Sequence, residues 1–153
     1  MLVALALLIG AVAGLRAFTA PAAVSFAARF CNLGLAGTPL AFLGYAWTPW
    51  IFGLIALAEL VGDQLPSTPS RKVPVQFGTR IVTGALAGAA IGASGGMLIV
   101  GLVAGVAGAV IGTFGGAAAR AWLAAMLRRD RPGALIEDAV AIGGAALIVC
   151  AAA

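Results

Sequence analysis

Apolar residues fill this chain in long runs, and the polar positions gather between them. A helix that spans a bilayer needs about 20 apolar residues. The first run, residues 2–30, exceeds that and is interrupted by Arg16 and Pro21. It suits a kinked helix, or a helix followed by a short broken segment, because proline removes a backbone hydrogen bond. Residues 31–38 (CNLGLAGT) read as a turn, and residues 39–63 as a second span. Tyr45, Trp47 and Trp50 cluster near the start of that span, as an interfacial aromatic belt would. Residues 64–78 hold Pro66, Pro69 and Pro74 with Arg71 and Lys72, and read as a loop. Residues 79–127 are long enough for two spans with a turn near Ser94-Gly95-Gly96. A second basic loop, RRDRPG at 128–133, precedes a last span at 134–152. The pattern predicts one all-α, polytopic membrane domain of about five passes, with four to six as the range.

Composition points the same way. The chain of 153 residues is 63% hydrophobic and 9% charged, against roughly 25% charged in ordinary soluble domains. The opening MLVALALLIGAVAG lacks the basic region of a signal peptide and reads as a retained helix. Arginine-rich short loops mark the cytoplasmic side of an inner membrane. The two basic loops are separated by an even number of passes, so both can face the cytoplasm. With five passes the N-terminus is then expected inside and the C-terminus outside. The net charge of +4 does not indicate nucleic acid, since no basic face carries interleaved aromatics.

Candidate chemistry is narrowed by what is missing. There is no histidine, and Cys31 and Cys150 are isolated, expected as small apolar fillers. Ion chemistry would therefore use oxygen ligands. No nucleophile–base pair is evident and no cofactor is called for, so an enzyme is not expected.

Glycines recur at four-residue spacing: Gly84, Gly88 and Gly92, then Gly101 and Gly105, then Gly108, Gly112 and Gly116. Such a ladder makes a flat face on which another backbone packs closely. A homodimer packed through it is the expected assembly, with the lipid bilayer as the surrounding partner.

Only five acidic residues occur, and four lie in or beside apolar runs: Glu59 and Asp63 in ELVGD, Glu137 and Asp138 in LIEDA. A charge at membrane depth costs about 2.5–3.5 kcal/mol on insertion scales. Glu59 and Asp63 are four apart and share a helix face. Glu137 and Asp138 point roughly 100° apart, so only one faces a given neighbour. All four belong to a layer one or two turns inside the cytoplasmic face, with Arg80 and Arg120, and Arg16 deeper. A surplus of carboxylate there leaves room for Na⁺, a divalent cation or protons. Glu59 and Glu137 are the expected metal or proton ligands, Asp63 and Asp138 assist, and Arg16 orients or gates; Thr19 and Pro21 support. Charges near a helix end also snorkel to water, so a purely structural network is the competing reading.

GLRAFT at 14–19 and GTRIVT at 78–83 share G-x-R-x-x-T, and an acidic pair ends each half. Residues 1–63 and 78–153 are thus candidate repeat halves about the linker 64–77. Small transporters carry such repeats, with interrupted helices lining the site.

Taken together, GLRAFTAPAAVSFAARF, ELVGDQLPSTPSR, GTFGG and LIEDAVAIGGAALIV resemble a family of small bacterial integral membrane proteins of uncharacterised activity. The resemblance marks Arg16, Glu59, Asp63, Pro66, Glu137 and Asp138 as pattern positions. ELVGDQ is also similar to the E-x-G-D motif of acidic-motif cation–proton exchangers, with one residue inserted, while LIEDA lacks the glycine. The expectation is a small secondary transporter or ion-coupled carrier of a cation or cationic solute. The alternative is a non-transporting scaffold whose charges are interhelical salt bridges.

Overall fold

The structure, a computed structural model, describes residues 1–62, 73–127 and 130–153. Its regular elements there are helical: α1 (Leu2–Leu15), α2 (Thr19–Phe30), a 3-10 turn (Ala41–Gly44), α3 (Thr48–Gly62), α4 (Pro74–Ser94), α5 (Leu98–Leu127) and α6 (Asp130–Ala152).

The first apolar run is two helices, not one. Pro21 has no N–H to give the carbonyl of residue 17, so a continuous helix would lose a bond and clash there. The chain stops at Leu15, takes an extended conformation at Arg16 (φ −137°, ψ 112°), and restarts at Thr19. Pro21 then falls in the first turn of α2, where the missing N–H costs nothing. The α4–α5 turn lies where expected. Met97 N–H bonds to the Gly92 carbonyl at 2.8 Å and Gly96 N–H to the Ala93 carbonyl at 3.0 Å, the pair that closes a Schellman motif. Gly96 occupies its left-handed position, φ 73°. The expected start of α4 at 79 is too late: the helix begins at Pro74, whose fixed φ suits a first helical position.

The glycine ladder is consumed inside the chain. A Cβ placed on Gly88 would lie 2.5 Å from the Gly101 carbonyl oxygen, and one on Gly92 would lie 2.7 Å from the Cα of Gly101. Gly84, Gly105, Gly108 and Gly112 likewise leave no room for a methyl group. Gly84 meets Gly105, Gly88 meets Gly101 and Gly92 meets Met97, so α4 and α5 run antiparallel. On another face of α5, Gly108 meets Leu7 and Gly112 meets Ala11, while Gly10 of α1 meets Gly105 and Gly14 meets Ala109, so α1 runs parallel to α5. The ladder that suggested a homodimer therefore packs three helices of one chain. Gly116 lines a cavity instead.

Gly133 approaches Leu123, and Gly144 approaches Val12, so α6 is antiparallel to α5 and to α1. The start of α1 lies against Gly95, hence at the same end of the bundle as the α4–α5 turn and the end of α6. The start of α4, the end of α5 and the start of α6 lie at the other end. α1 is parallel to α5 and leads away from the α4–α5 turn, so its start lies at the end of the bundle opposite the start of α4. α2 and α3 form an antiparallel pair at the side, with Trp50 edge-on to Phe26 at 5.5 Å.

Five spans are not what the lengths show. α5, with 30 residues, and α6, with 23, contain stretches long and apolar enough to cross a membrane. α1 and α3 are apolar but have 14 and 15 residues, short of the ~20 a straight crossing takes. α4 has 21 residues, but Gln76, Thr79, Arg80, Thr83 and its glycines dilute its apolar content. Cys31 and Cys150 are exposed rather than buried fillers.

Candidate functional site

The break between α1 and α2 leaves backbone groups without helical partners: carbonyls at the end of α1 and N–H groups at the start of α2. Two side chains from other helices take them up. Glu59 of α3 accepts from Ala17 N–H at 2.8 Å through Oε1 and from Phe18 N–H at 2.9 Å through Oε2. Arg80 of α4 donates from Nη1 to the Gly14 and Leu15 carbonyls, each at 2.6 Å. A carboxylate at a helix start and a guanidinium at a helix end also match the signs of the two macrodipoles. Arg80 Nη2 lies 3.9 Å from Glu59 Oε1, which joins the two caps into one group.

Arg16, at the break itself, is completely buried. Its Nε donates to Asp138 Oδ1 at 2.7 Å, and its Nη2 pairs with the same oxygen. The next residue on α6, Glu137, turns instead to α5, with Oε2 3.8 Å from Arg120 Nη1. The roughly 100° between adjacent helical residues divides the acidic pair between two neighbours, as the spacing implies. Arg16 is thus level with the acids rather than deeper. Thr19 is buried in the first turn of α2, and neither its hydroxyl nor that of Ser25 has a hydrogen-bond partner among the described residues. Pro21 is buried beside them. Asp63 lies outside the described residues.

The two G-x-R-x-x-T segments pair crosswise. Arg16 of the first meets Asp138 of the second half, and Arg80 of the second meets Glu59 of the first. Their local structures differ. The first sits at a helix break, and the second inside the unbroken α4, where Thr83 Oγ1 donates to the Thr79 carbonyl at 2.9 Å.

Each of the three carboxylates described so far faces an arginine, so the surplus of negative charge read from the sequence does not appear among them. Glu59 and Glu137 meet different arginines, Arg80 and Arg120. Glu59 is held on backbone N–H groups and Glu137 on α5, and no group of three potential metal ligands forms among the described residues.

A cavity of about 270 Å³ opens beside Arg120 and Glu137. Leu15, the last residue of α1, forms one wall, so the cavity adjoins the helix break. Ala119 and Leu123 of α5 and Ile136 and Val140 of α6 complete a lining that is otherwise apolar. The Arg120 side chain is 22% exposed and that of Glu137 6%. The sequence did not mark this cavity, because its walls are ordinary apolar residues whose faces converge only after packing. The role of Arg80 as a cap was also hidden, since nothing in GTRIVT names Gly14 and Leu15 as partners. Compared with known proteins, the chain matches no family model, no curated protein and no solved structure.

Proposed function

We propose that this chain is a small carrier in the bacterial inner membrane that moves a cation or cationic solute, with Glu137 holding the ligand and Arg120 as the group it displaces. Membership in the bacterial family that the sequence resembles is part of the same proposal. One observation carries it: a half-buried arginine and a buried glutamate face each other in the wall of an apolar cavity, next to a broken helix. Interrupted helices beside a binding site are how many secondary transporters build theirs. Arg16 is locked on Asp138 and fully buried, so exchange of partners is cheaper at Arg120. The gating role expected of Arg16 moves to Arg120, and Glu59 becomes a cap rather than a ligand.

Large apolar side chains stand exposed on α3, α5 and α6, among them Leu54, Ile99, Ile111, Trp122 and Leu147. Surfaces of this kind call for lipid or a partner. In the proposed orientation the basic segments face the cytoplasm. The start of α1 and the end of α6 face the other side.

The scaffold reading is favoured by one observation, the matching of Glu59, Glu137 and Asp138 with three arginines. Flux into liposomes decides between the two. Wild-type protein is expected to carry a cation or cationic solute, and Glu137→Gln to abolish the flux. Absence of flux across a broad panel of both kinds of solute would sink the carrier reading and leave the scaffold.

A further inference from the structure

We infer that the ligand of the Arg120–Glu137 cavity is a monovalent organic ammonium ion with an aliphatic body, not a bare metal ion. The inference rests on the reading of that cavity as the ligand site. Four features of the wall support it.

Hard metal ions take six to eight oxygen ligands, or keep several waters in an ordered shell. Among the described residues, the wall supplies one carboxylate, that of Glu137, and no hydroxyl or amide side chain. No group of three potential metal ligands forms elsewhere among the described residues. A metal ion entering here would shed water without replacement.

Sign comes next. Of the facing pair, Glu137 is the buried member and Arg120 the more exposed one. The ligand therefore replaces the arginine and takes its positive charge. An anion would have to expel the buried carboxylate or sit beside it, and either is costly for like charges in a poorly solvated site.

Size and surface give the body of the ligand. About 270 Å³ is near the lower limit of small-molecule pockets. Leu15, Leu123, Ile136 and Val140 offer aliphatic contact. An alkylammonium ion satisfies both ends: its charge meets Glu137, and its carbons cover the aliphatic wall. Among the described residues no aromatic ring lines the cavity, so recognition of charge falls to Glu137 rather than to cation–π attraction.

Tetraethylammonium is a suitable probe, with titration calorimetry on the purified full chain in detergent. Wild type is expected to bind it, and neither NaCl nor CaCl₂ at equal concentration to compete. Glu137→Gln should weaken binding about tenfold or more, the loss of one buried charge partner. Arg120→Gln should tighten it, because the internal competitor is gone. Gly115→Leu tests the cavity without touching a charge. A Cβ at Gly115 meets nothing within 4 Å, so the branch point finds room while the rest of the side chain narrows the cavity, and binding should fall. No binding to wild type would overturn the inference. So would binding that Glu137→Gln and Gly115→Leu both leave unchanged, as partition into an acyl-chain site would give. Tetraethylammonium binding without flux in liposomes supports the inference and overturns the carrier reading. Flux of Na⁺ or Ca²⁺ without tetraethylammonium binding does the reverse.

Discussion

Arg16 and Asp138 are both buried, at 0% and 8% exposure, and each makes the other tolerable. Removing one partner of a buried pair costs about 3–5 kcal/mol, whereas replacing both with apolar residues is often near neutral. Arg16→Met alone should therefore lower the melting temperature in detergent sharply. Combining it with Asp138→Leu should recover most of the loss, and additive losses in the double variant would contradict this pairing. Glu59 works differently, through the two N–H groups it caps. Glu59→Ala should cost about 1–3 kcal/mol of stability, the range for leaving buried donors unsatisfied. Glu59→Gln, which keeps an acceptor oxygen, should cost less. The sequence marked Arg16, Glu59, Glu137 and Asp138 because charge in an apolar run is conspicuous. It could not assign their partners. Adjacent Glu137 and Asp138 look equivalent along the chain, and only the packing of α1 and α5 on two sides of α6 separates them.

At the scale of elements, glycine positions on α5 divide by what faces them. Gly105 meets the backbone of α4, while Gly115 faces open space. In an exposed helix position glycine costs about 1 kcal/mol relative to alanine. Gly115→Ala should accordingly be neutral or stabilising by up to about that much. Gly105→Ala should be destabilising, because two backbones must part to admit one methyl group. Thermal unfolding in detergent of the two variants, side by side, checks the contrast. The four-residue period was legible in the sequence as a packing face, since it follows from helix geometry alone. Which helix it packs on was not. Gly10 and Gly14 of α1 also belong to the seam, yet a single four-residue step in an apolar run does not stand out as a packing face. The break in the first run was legible through Pro21, whose ring forbids a continuous helix. The start of α4 was missed because Pro74 was read as part of a loop, although proline serves equally at a first helical position.

Across the whole molecule, a polar layer runs from Glu59 and Arg80 through Arg16 and Asp138 to Glu137 and Arg120. It crosses a bundle whose seam is rich in glycine and alanine. The orientation proposed for it is open to test in a Cys31→Ala, Cys150→Ala background. A membrane-impermeant maleimide applied from outside should label Met97→Cys, at the α4–α5 turn, and not Ser67→Cys, in the basic segment 64–78 of the sequence. The opposite pattern would invert the topology. By itself the sequence determined the class of the molecule. With so much apolar surface and so few charges, the chain has only helices in which to satisfy its backbone, and proline and glycine fix where those helices break and turn. Pairing was decided by the tertiary structure. A charge in an apolar run must find a partner, but its energy is equally well lowered by an ion, a second charge or the open end of a helix. Sequence distance does not rank those three. Packing does: it brought the broken end of α1 to Arg80, the start of α2 to Glu59, and left Glu137 facing Arg120 across a cavity.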